Sequence, residues 1–274
     1  QQWQAMLKLG IPIMAAGLLT LVTQLAARSI ILRELGLDAS GYFQAAWAIS
    51  MTYVGFVLGA MGADYFPRLT AIIDDHLQAR KLVNEQTEMA LLLAGPVLLT
   101  MITFAPWIIH LLYAATFAPA TDVLRWQVLG DILKVASFPM GFILLAMGRG
   151  GIFIGTELTW NVIYLGVIFL GIQQHGLVVA GVGFWGAYLI LYSMVALVAS
   201  QLIGYKSVRR NWMFTLFLLL AGGLIFYVAG QSADMGYGVG LLVTLVTSVY
   251  SLHRLDGLVD VRGWLKRRFG YGVN

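Results

Sequence analysis

The chain has 274 residues, 59% of them hydrophobic and only 11% charged, with a formal net charge of +4. Together with a mean hydropathy of +0.82, this excludes an ordinary soluble domain, in which about a quarter of the residues carry charge. The basic balance does not point to nucleic acid as a partner. The excess cations sit at the ends of apolar stretches, where membrane topology and anionic headgroups account for them, so the expected surroundings are membrane lipids.

Lipid-embedded backbone must satisfy its polar groups internally, so apolar runs of this length mean helices. The alternating ten-residue segments of an outer-membrane barrel are missing. The fold class expected is all-α integral membrane. The absence of cysteine removes disulfides, thiol nucleophiles and cysteine metal sites. His76, His110, His175 and His253 have no ligand-like spacing, so neither a metal nor a cofactor is expected. The chain opens Gln1-Gln2-Trp3, without Met and without a cleavable signal region, and is expected to be an N-terminally truncated fragment.

Eight candidate spans follow one another, at roughly residues 9–32, 42–62, 88–109, 122–147, 152–173, 177–203, 212–230 and 236–252, each near the ~20 residues that cross a bilayer. In the first, Gly10-Ile11-Pro12 stands where a helix can begin at proline. Gly17, Thr20, Gln24 and Arg28 then form a small-to-polar stripe at helical spacing. The second carries Gln44, Ala48, Thr52, Gly55 and Gly59 along one face, small enough for close helix approach in lipid. Residues 68–87 are the longest polar stretch. They read either as an amphipathic helix at the headgroup level or as a plain linker. Pro96 and Pro106 should kink the third span. The fourth is the most polar, with Gln127, Asp131, Lys134, Ser137 and Gly141 at three- and four-residue steps and Pro139 breaking the ladder among them. Glu157, Asn161 and Tyr164 make the polar face of the fifth. The sixth to eighth are apolar and rich in glycine. The tail from Arg254 to Phe269 reads as an interfacial anchor or as a basic tail that enforces topology.

Positive charge alternates between connections. Lys8, Arg68, Arg80, Lys81, Arg149, Lys206, Arg209, Arg210, Arg254, Arg262, Lys266, Arg267 and Arg268 all fall on one side, and only Arg33 clearly on the other. The positive-inside rule then places both termini in the cytoplasm. The remaining cations, Arg28, Arg125 and Lys134, lie inside spans, where a charge costs about 2.5–3.5 kcal/mol at mid-bilayer.

Two readings of these charges stay open. Asp131 and Lys134 can neutralise each other, while Arg28 and Arg125 snorkel to the interface. Alternatively Gln24, Arg28, Arg125, Asp131, Lys134, Glu157 and Asn161 line one hydrated cavity, whose three cations against two acids favour an anionic substrate. Membrane-embedded catalysis is not expected, because the connections opposite the basic ones are too short for a catalytic loop. Asp74-Asp75 is read as a solvated helix face.

Several separated motifs add to this. The run Gly41-Tyr42-Phe43-Gln44-Ala45-Ala46-Trp47, then Asp64-Tyr65-Phe66-Pro67-Arg68-Leu69, then Val83-Asn84-Glu85-Gln86-Thr87-Glu88, resembles the bacterial O-antigen and polysaccharide flippases of the multidrug/oligosaccharidyl-lipid/polysaccharide (MOP) exporter superfamily. Leu112-Tyr113, Leu124 to Asp131 and Ala146-Met147-Gly148-Arg149-Gly150 fit the same branch in the same order. The resemblance covers about residues 5–203. It implies a second six-helix lobe over residues 1–203, followed by two additional helices and a basic tail over 204–274.

The implied activity is movement of undecaprenyl-diphosphate-linked oligosaccharide from the cytoplasmic to the periplasmic leaflet of the bacterial inner membrane by alternating access. The implied protein partners are a polysaccharide polymerase and a chain-length regulator. Cavity cations would meet the diphosphate and sugar acids. Asp64, Pro67, Arg68, Asn84 and Glu85 would build the cytoplasmic gate or fold its loop. Two alternatives remain: a cation-coupled drug antiporter of the same superfamily, with Asp131 and Glu157 as its ion site, and a non-transporting structural subunit of a polysaccharide assembly system.

Overall fold

The computed structural model describes the backbone of residues 2–259 and the side chains of residues 10–257. The side chain of Lys8 and the basic tail beyond residue 259, with Arg262, Lys266, Arg267 and Arg268, lie outside the described residues. Nine α-helices and one 3-10 turn, with no strand, make up the described chain. They are α1 (Gln2–Leu35), α2 (Leu37–Ile72), α3 (His76–Thr103), α4 (Ala105–Leu112), the turn Ala115–Phe117, α5 (Ala120–Ala146), α6 (Gly150–His175), α7 (Val178–Ile203), α8 (Arg209–Gln231) and α9 (Ala233–Val259). Among the described residues, eight of them, all but the short α4, are long and apolar enough to cross a membrane. They match the eight expected spans in order.

The connections are shorter than the sequence suggested, because the helices run past the apolar stretches. Gly36 alone joins α1 to α2, at φ 89°. That left-handed backbone admits glycine at little cost. The polar stretch 68–87 forms no separate amphipathic helix. Instead α2 continues through Pro67 to Ile72, and α3 starts at His76. Asp75 makes this early start possible by accepting from the Leu77 and Gln78 amides at 3.0 and 3.1 Å, the usual service of an N-cap. Hydrogen bonds from the Gln78 backbone and side chain, and from Leu77, hold the Asp75 carboxyl below the usual carboxylate range.

The prolines behave differently from one another. Pro96 stays inside a continuous α3, whereas α3 stops at Thr103 and α4 begins with Pro106 in its first turn. Pro139 removes one bond of the ladder, that to the Val135 carbonyl, but does not end α5, which runs as one helix from Ala120 to Ala146. Two hydroxyls donate to carbonyls in this part of α5. Ser137 Oγ donates to the Lys134 carbonyl at 3.0 Å, and Tyr65 of α2 donates to the Pro139 carbonyl at 2.9 Å. Neither is the carbonyl that Pro139 leaves unbonded, which is that of Val135; the Tyr65 bond instead ties α2 to α5 at this level.

α5 is the centre of the bundle, packed against α2, α3, α7 and α8. Two glycines set its approach to α7. A Cβ on Gly130 would fall 2.6 Å from the Phe184 ring, and one on Gly181 would fall 2.9 Å from the Val123 carbonyl. Any side chain there would push the two helices apart, the small-residue rule of helix association in lipid. α1 packs on α2 and α6, and α8 and α9 pack on each other and on α3.

Candidate functional site

A cavity of about 330 Å³ opens between α1, α2, α5, α6 and α7. Thr20 and Gly17 come from α1, Trp47 and Met51 from α2, Lys134 and Ser137 from α5, Glu157 and Trp160 from α6, and Tyr188 from α7. The wall is largely aromatic. Trp160 stacks on Tyr164 with centroids 5.3 Å apart and touches Tyr188 at 5.1 Å, and Trp47 meets Phe184 edge-on at 5.8 Å.

Lys134 is the cation of this cavity. Its Nζ lies 3.1 Å from Met51 Sδ and 5.8 Å from the centre of the Tyr188 ring. Among the described residues it forms no salt bridge within 4.0 Å, although it stands in the field of Asp131 and Glu157. One turn away, Asp131 is fully buried. Its Oδ2 accepts from Ser50 Oγ at 2.5 Å, and its Oδ1 has no protein partner. Gln127, also fully buried, has both amide atoms unpartnered, as are Asn161 Oδ1, Trp160 Nε1 and the Tyr164 hydroxyl. Buried polar atoms are normally paired, so this density of unmatched donors and acceptors marks the α5–α6 interior as unlike the rest of the core.

Of the seven expected cavity residues, the structure brings four together: Lys134 and Glu157 in the lining, with Asp131 and Asn161 one turn from them. The other three lie elsewhere. Gln24 reaches across to Gln44 of α2 at 3.5 Å. Arg28 is exposed on α1. Arg125 points away from the cavity, with its Nε donating to the Ile102 carbonyl at 3.2 Å, Asp122 at 3.8 Å and the Phe226 ring of α8 at 5.6 Å. Helical periodicity explains the miss. Arg125 lies six residues from Asp131, which turns it to the other side of α5, against α3 and α8. The cavity lining therefore holds one cation and one acid, with Asp131 buried behind it, not the expected three cations against two acids.

The five motif residues also part company. Asp64 and Arg68 pair at 3.1 Å on the exposed face of α2, beside the exposed Pro67. Glu85 pairs at 3.9 Å with Lys81 on the outside of α3. Asn84 is buried and fastens the α7–α8 connection. Its Nδ2 donates to the Lys206 carbonyl at 3.2 Å, its Oδ1 accepts from the Val208 amide at 2.9 Å and the Tyr205 hydroxyl at 3.3 Å, and its carbonyl accepts from Asn211 at 2.8 Å. Burial pushes the Tyr205 hydroxyl up to about 12, so it remains a donor.

Sequence reasoning missed two further groups. One is the aromatic wall, whose Trp47, Trp160 and Tyr188 read as ordinary apolar positions. The other is Glu88, buried in α3 and clasped by Arg210 of α8 and Arg254 of α9, the latter at 2.9 Å. A lone acid at the start of a span, with arginines far along the chain, gives no local signal of pairing.

Comparison with known proteins agrees with this architecture. The model of the "Polysaccharide biosynthesis protein" family matches residues 1–122. A solved MOP superfamily transporter from Pyrococcus furiosus superposes with a TM-score of 0.57 at 15% identity, over 90% of this chain and 63% of that one. The chain shares the fold of that structure over most of its length. The lipid III flippases of Escherichia coli (strain K12) and Shigella flexneri are each 21% identical over 173 residues, 63% of this chain and 41% of theirs. The chain thus spans about two fifths of the length of the curated relatives it matches. The likeness to MOP-type polysaccharide flippases, read from the motifs, is borne out. With eight helices long and apolar enough to cross a membrane among its described residues, the chain is a multi-pass protein of the inner membrane.

Proposed function

We propose that this chain acts in moving an undecaprenyl-diphosphate-linked oligosaccharide from the cytoplasmic to the periplasmic leaflet, as one lobe of a two-lobed, alternating-access transporter. In this reading α1–α7 form the lobe, and α8–α9 are an addition held to α3. Repeat-built transporters place their substrate site near the membrane midplane between lobes. The observation that carries the reading is Lys134, a cation deep in a membrane-spanning helix, free of any carboxylate within 4.0 Å and set in an aromatic wall. An intramembrane charge without a close partner is a functional residue by default. Here the ammonium suits a phosphate, and the aromatic faces suit the apolar faces of sugar rings. The activity is transport and not catalysis, and a polysaccharide polymerase and a chain-length regulator are its proposed protein partners.

In the natural host, Lys134→Ala should lower export of lipid-linked glycan about ten- to a hundredfold, the worth of one charge–phosphate contact in a partly desolvated site. Lys134→Arg should retain part of it, and protein abundance should stay normal. Normal export by Lys134→Ala at normal abundance would sink the reading.

A second reading is favoured by the two acids that share this interior. With Asp131 and Glu157 against one lysine, a cation-coupled antiporter is the alternative. It calls for export that survives Lys134→Ala and fails in Asp131→Asn.

Orientation is also proposed: both termini in the cytoplasm. In this cysteine-free chain, cysteines at the exposed Asp38 and Gln174 should label from the periplasm, and those at Asp74 and Lys206 should not. Labelling of the second pair from outside would reverse the topology.

A further inference from the structure

One end of the α8–α9 pair combines charge and apolar surface in a way that transport does not explain. A groove of about 490 Å³ runs down from Arg209 and Arg210 over Met213, Phe214, Phe217 and Tyr250. The rings of its wall are ordered against each other, Phe214 to Phe217 at 6.1 Å and Phe214 to Tyr250 at 5.4 Å. Arg210 is also shared with a second cleft of about 490 Å³, which Arg80, Lys81 and Lys206 line from α3 and the α7–α8 connection. The two acids that line this second cleft are already engaged. Glu88 holds Arg210 and Arg254, and Glu85 holds Lys81. Arg209 and Lys206 are exposed and form no ion pair among the described residues. The first turn of α8 carries no acid to offset them.

Positive rims are common on membrane proteins and follow from topology alone. This one differs because Arg209, with no ion pair among the described residues, stands at the mouth of a groove whose floor is apolar and aromatic, and Arg210 joins it to the cleft that Lys206 lines. Trp212, exposed beside the groove, is a residue type that settles at headgroup depth. We propose that this end of α8 and α9 is a binding site for an anionic glycerophospholipid of the leaflet that the rim faces. Its phosphate lies among Arg209, Arg210 and Lys206, and one acyl chain runs along Met213, Phe214, Phe217 and Tyr250. A soluble anion would leave the apolar floor bare. A zwitterionic lipid would leave the cations uncompensated.

The site does not depend on glycan transport, so its test is binding and not export. The full chain, purified in mild detergent and stripped of lipid, is titrated with dioleoylphosphatidylglycerol, dioleoylphosphatidylcholine or glycerol phosphate and read by native mass spectrometry. Phosphatidylglycerol should be retained at least about tenfold better than phosphatidylcholine. Arg209→Gln combined with Lys206→Gln should lower its retention roughly twenty- to thirtyfold and leave phosphatidylcholine unchanged, at about fivefold per cation near a membrane surface. Arg209→Lys should keep most of the binding. Lys206→Gln alone, which changes an exposed side chain and keeps the backbone carbonyl that Asn84 bonds, should show the single-cation drop if the double variant folds poorly. Equal retention of the two lipids, wild-type retention by the charge variants, or glycerol phosphate displacing phosphatidylglycerol at equal concentration would each overturn the proposal.

Discussion

Two buried carboxylates sit in membrane-spanning helices of this chain, and they are treated in opposite ways. Glu88 in α3 has both oxygens taken, one by Arg210 and one by Arg254, and so ties α3 to α8 and α9. Asp131 in α5 has one serine hydroxyl, one unpartnered oxygen and a lysine a turn away that is not in contact with it. A buried charge that is fully paired builds structure, because removing either partner strands the other. One that is left underpaired destabilises the fold, and function is the usual reason for keeping it. By this measure the α3–α8–α9 end is a clasp, and the α5–α6 interior is the part we propose to do the work.

The comparison is broken most directly at the clasp. Glu88→Gln leaves two arginines facing a neutral amide. It should cost about 2–3 kcal/mol, toward the lower side of a broken buried pair because both arginines are partly exposed. The measure is the thermal midpoint of the purified protein and its abundance in membranes. Adding Arg210→Gln and Arg254→Gln should return part of the loss, since no stranded charge then remains. An unchanged midpoint in Glu88→Gln would reduce the clasp to a surface ion pair. Its counterpart, Asp131→Asn, should shift the midpoint little or raise it. The amide oxygen can still accept from Ser50, and an ionisable group leaves a dry site. If Asp131→Asn proved as destabilising as Glu88→Gln, the two sites would be the same kind of thing. The proposed contrast would then fail.

How much of this was legible beforehand follows from the range of each signal. The eight spans read correctly because each is a run of apolar residues, a property local to about twenty positions. The end of α3 at Thr103 and the seat of Pro106 in a first turn follow from proline chemistry, which is local as well. The bond from Tyr65 to the Pro139 carbonyl was not legible, since its donor comes from another helix, far along the chain. The polar stretch 68–87 was misread for a related reason. A polar composition suits either a surface helix or the ends of two long ones, and Asp75 as an N-cap selects the second.

In the candidate site, Lys134, Asp131, Glu157 and Asn161 come together as expected because they occupy one face each of two neighbouring helices. Arg125 was grouped with them on charge alone, and Arg28 on its place in the polar stripe of α1. Nothing in a single sequence says which side of α5 a neighbour will cover, and the answer here is that α3 and α8 cover Arg125.

The sequence by itself therefore determined that this is a multi-spanning helical membrane protein, where its helices lie, and that its fourth and fifth spans carry polar faces. Those are consequences of hydropathy and helical period, and both are written in consecutive residues. Only the tertiary structure decided which charges meet. It paired Glu88 with arginines more than a hundred positions away, turned Arg125 out of the cavity, and walled Lys134 with rings from α2, α6 and α7. Pairing of charges depends on distances across helices of only a few ångströms, set by close packing such as that of Gly130 against Phe184, and these distances have no counterpart in the linear order of the chain.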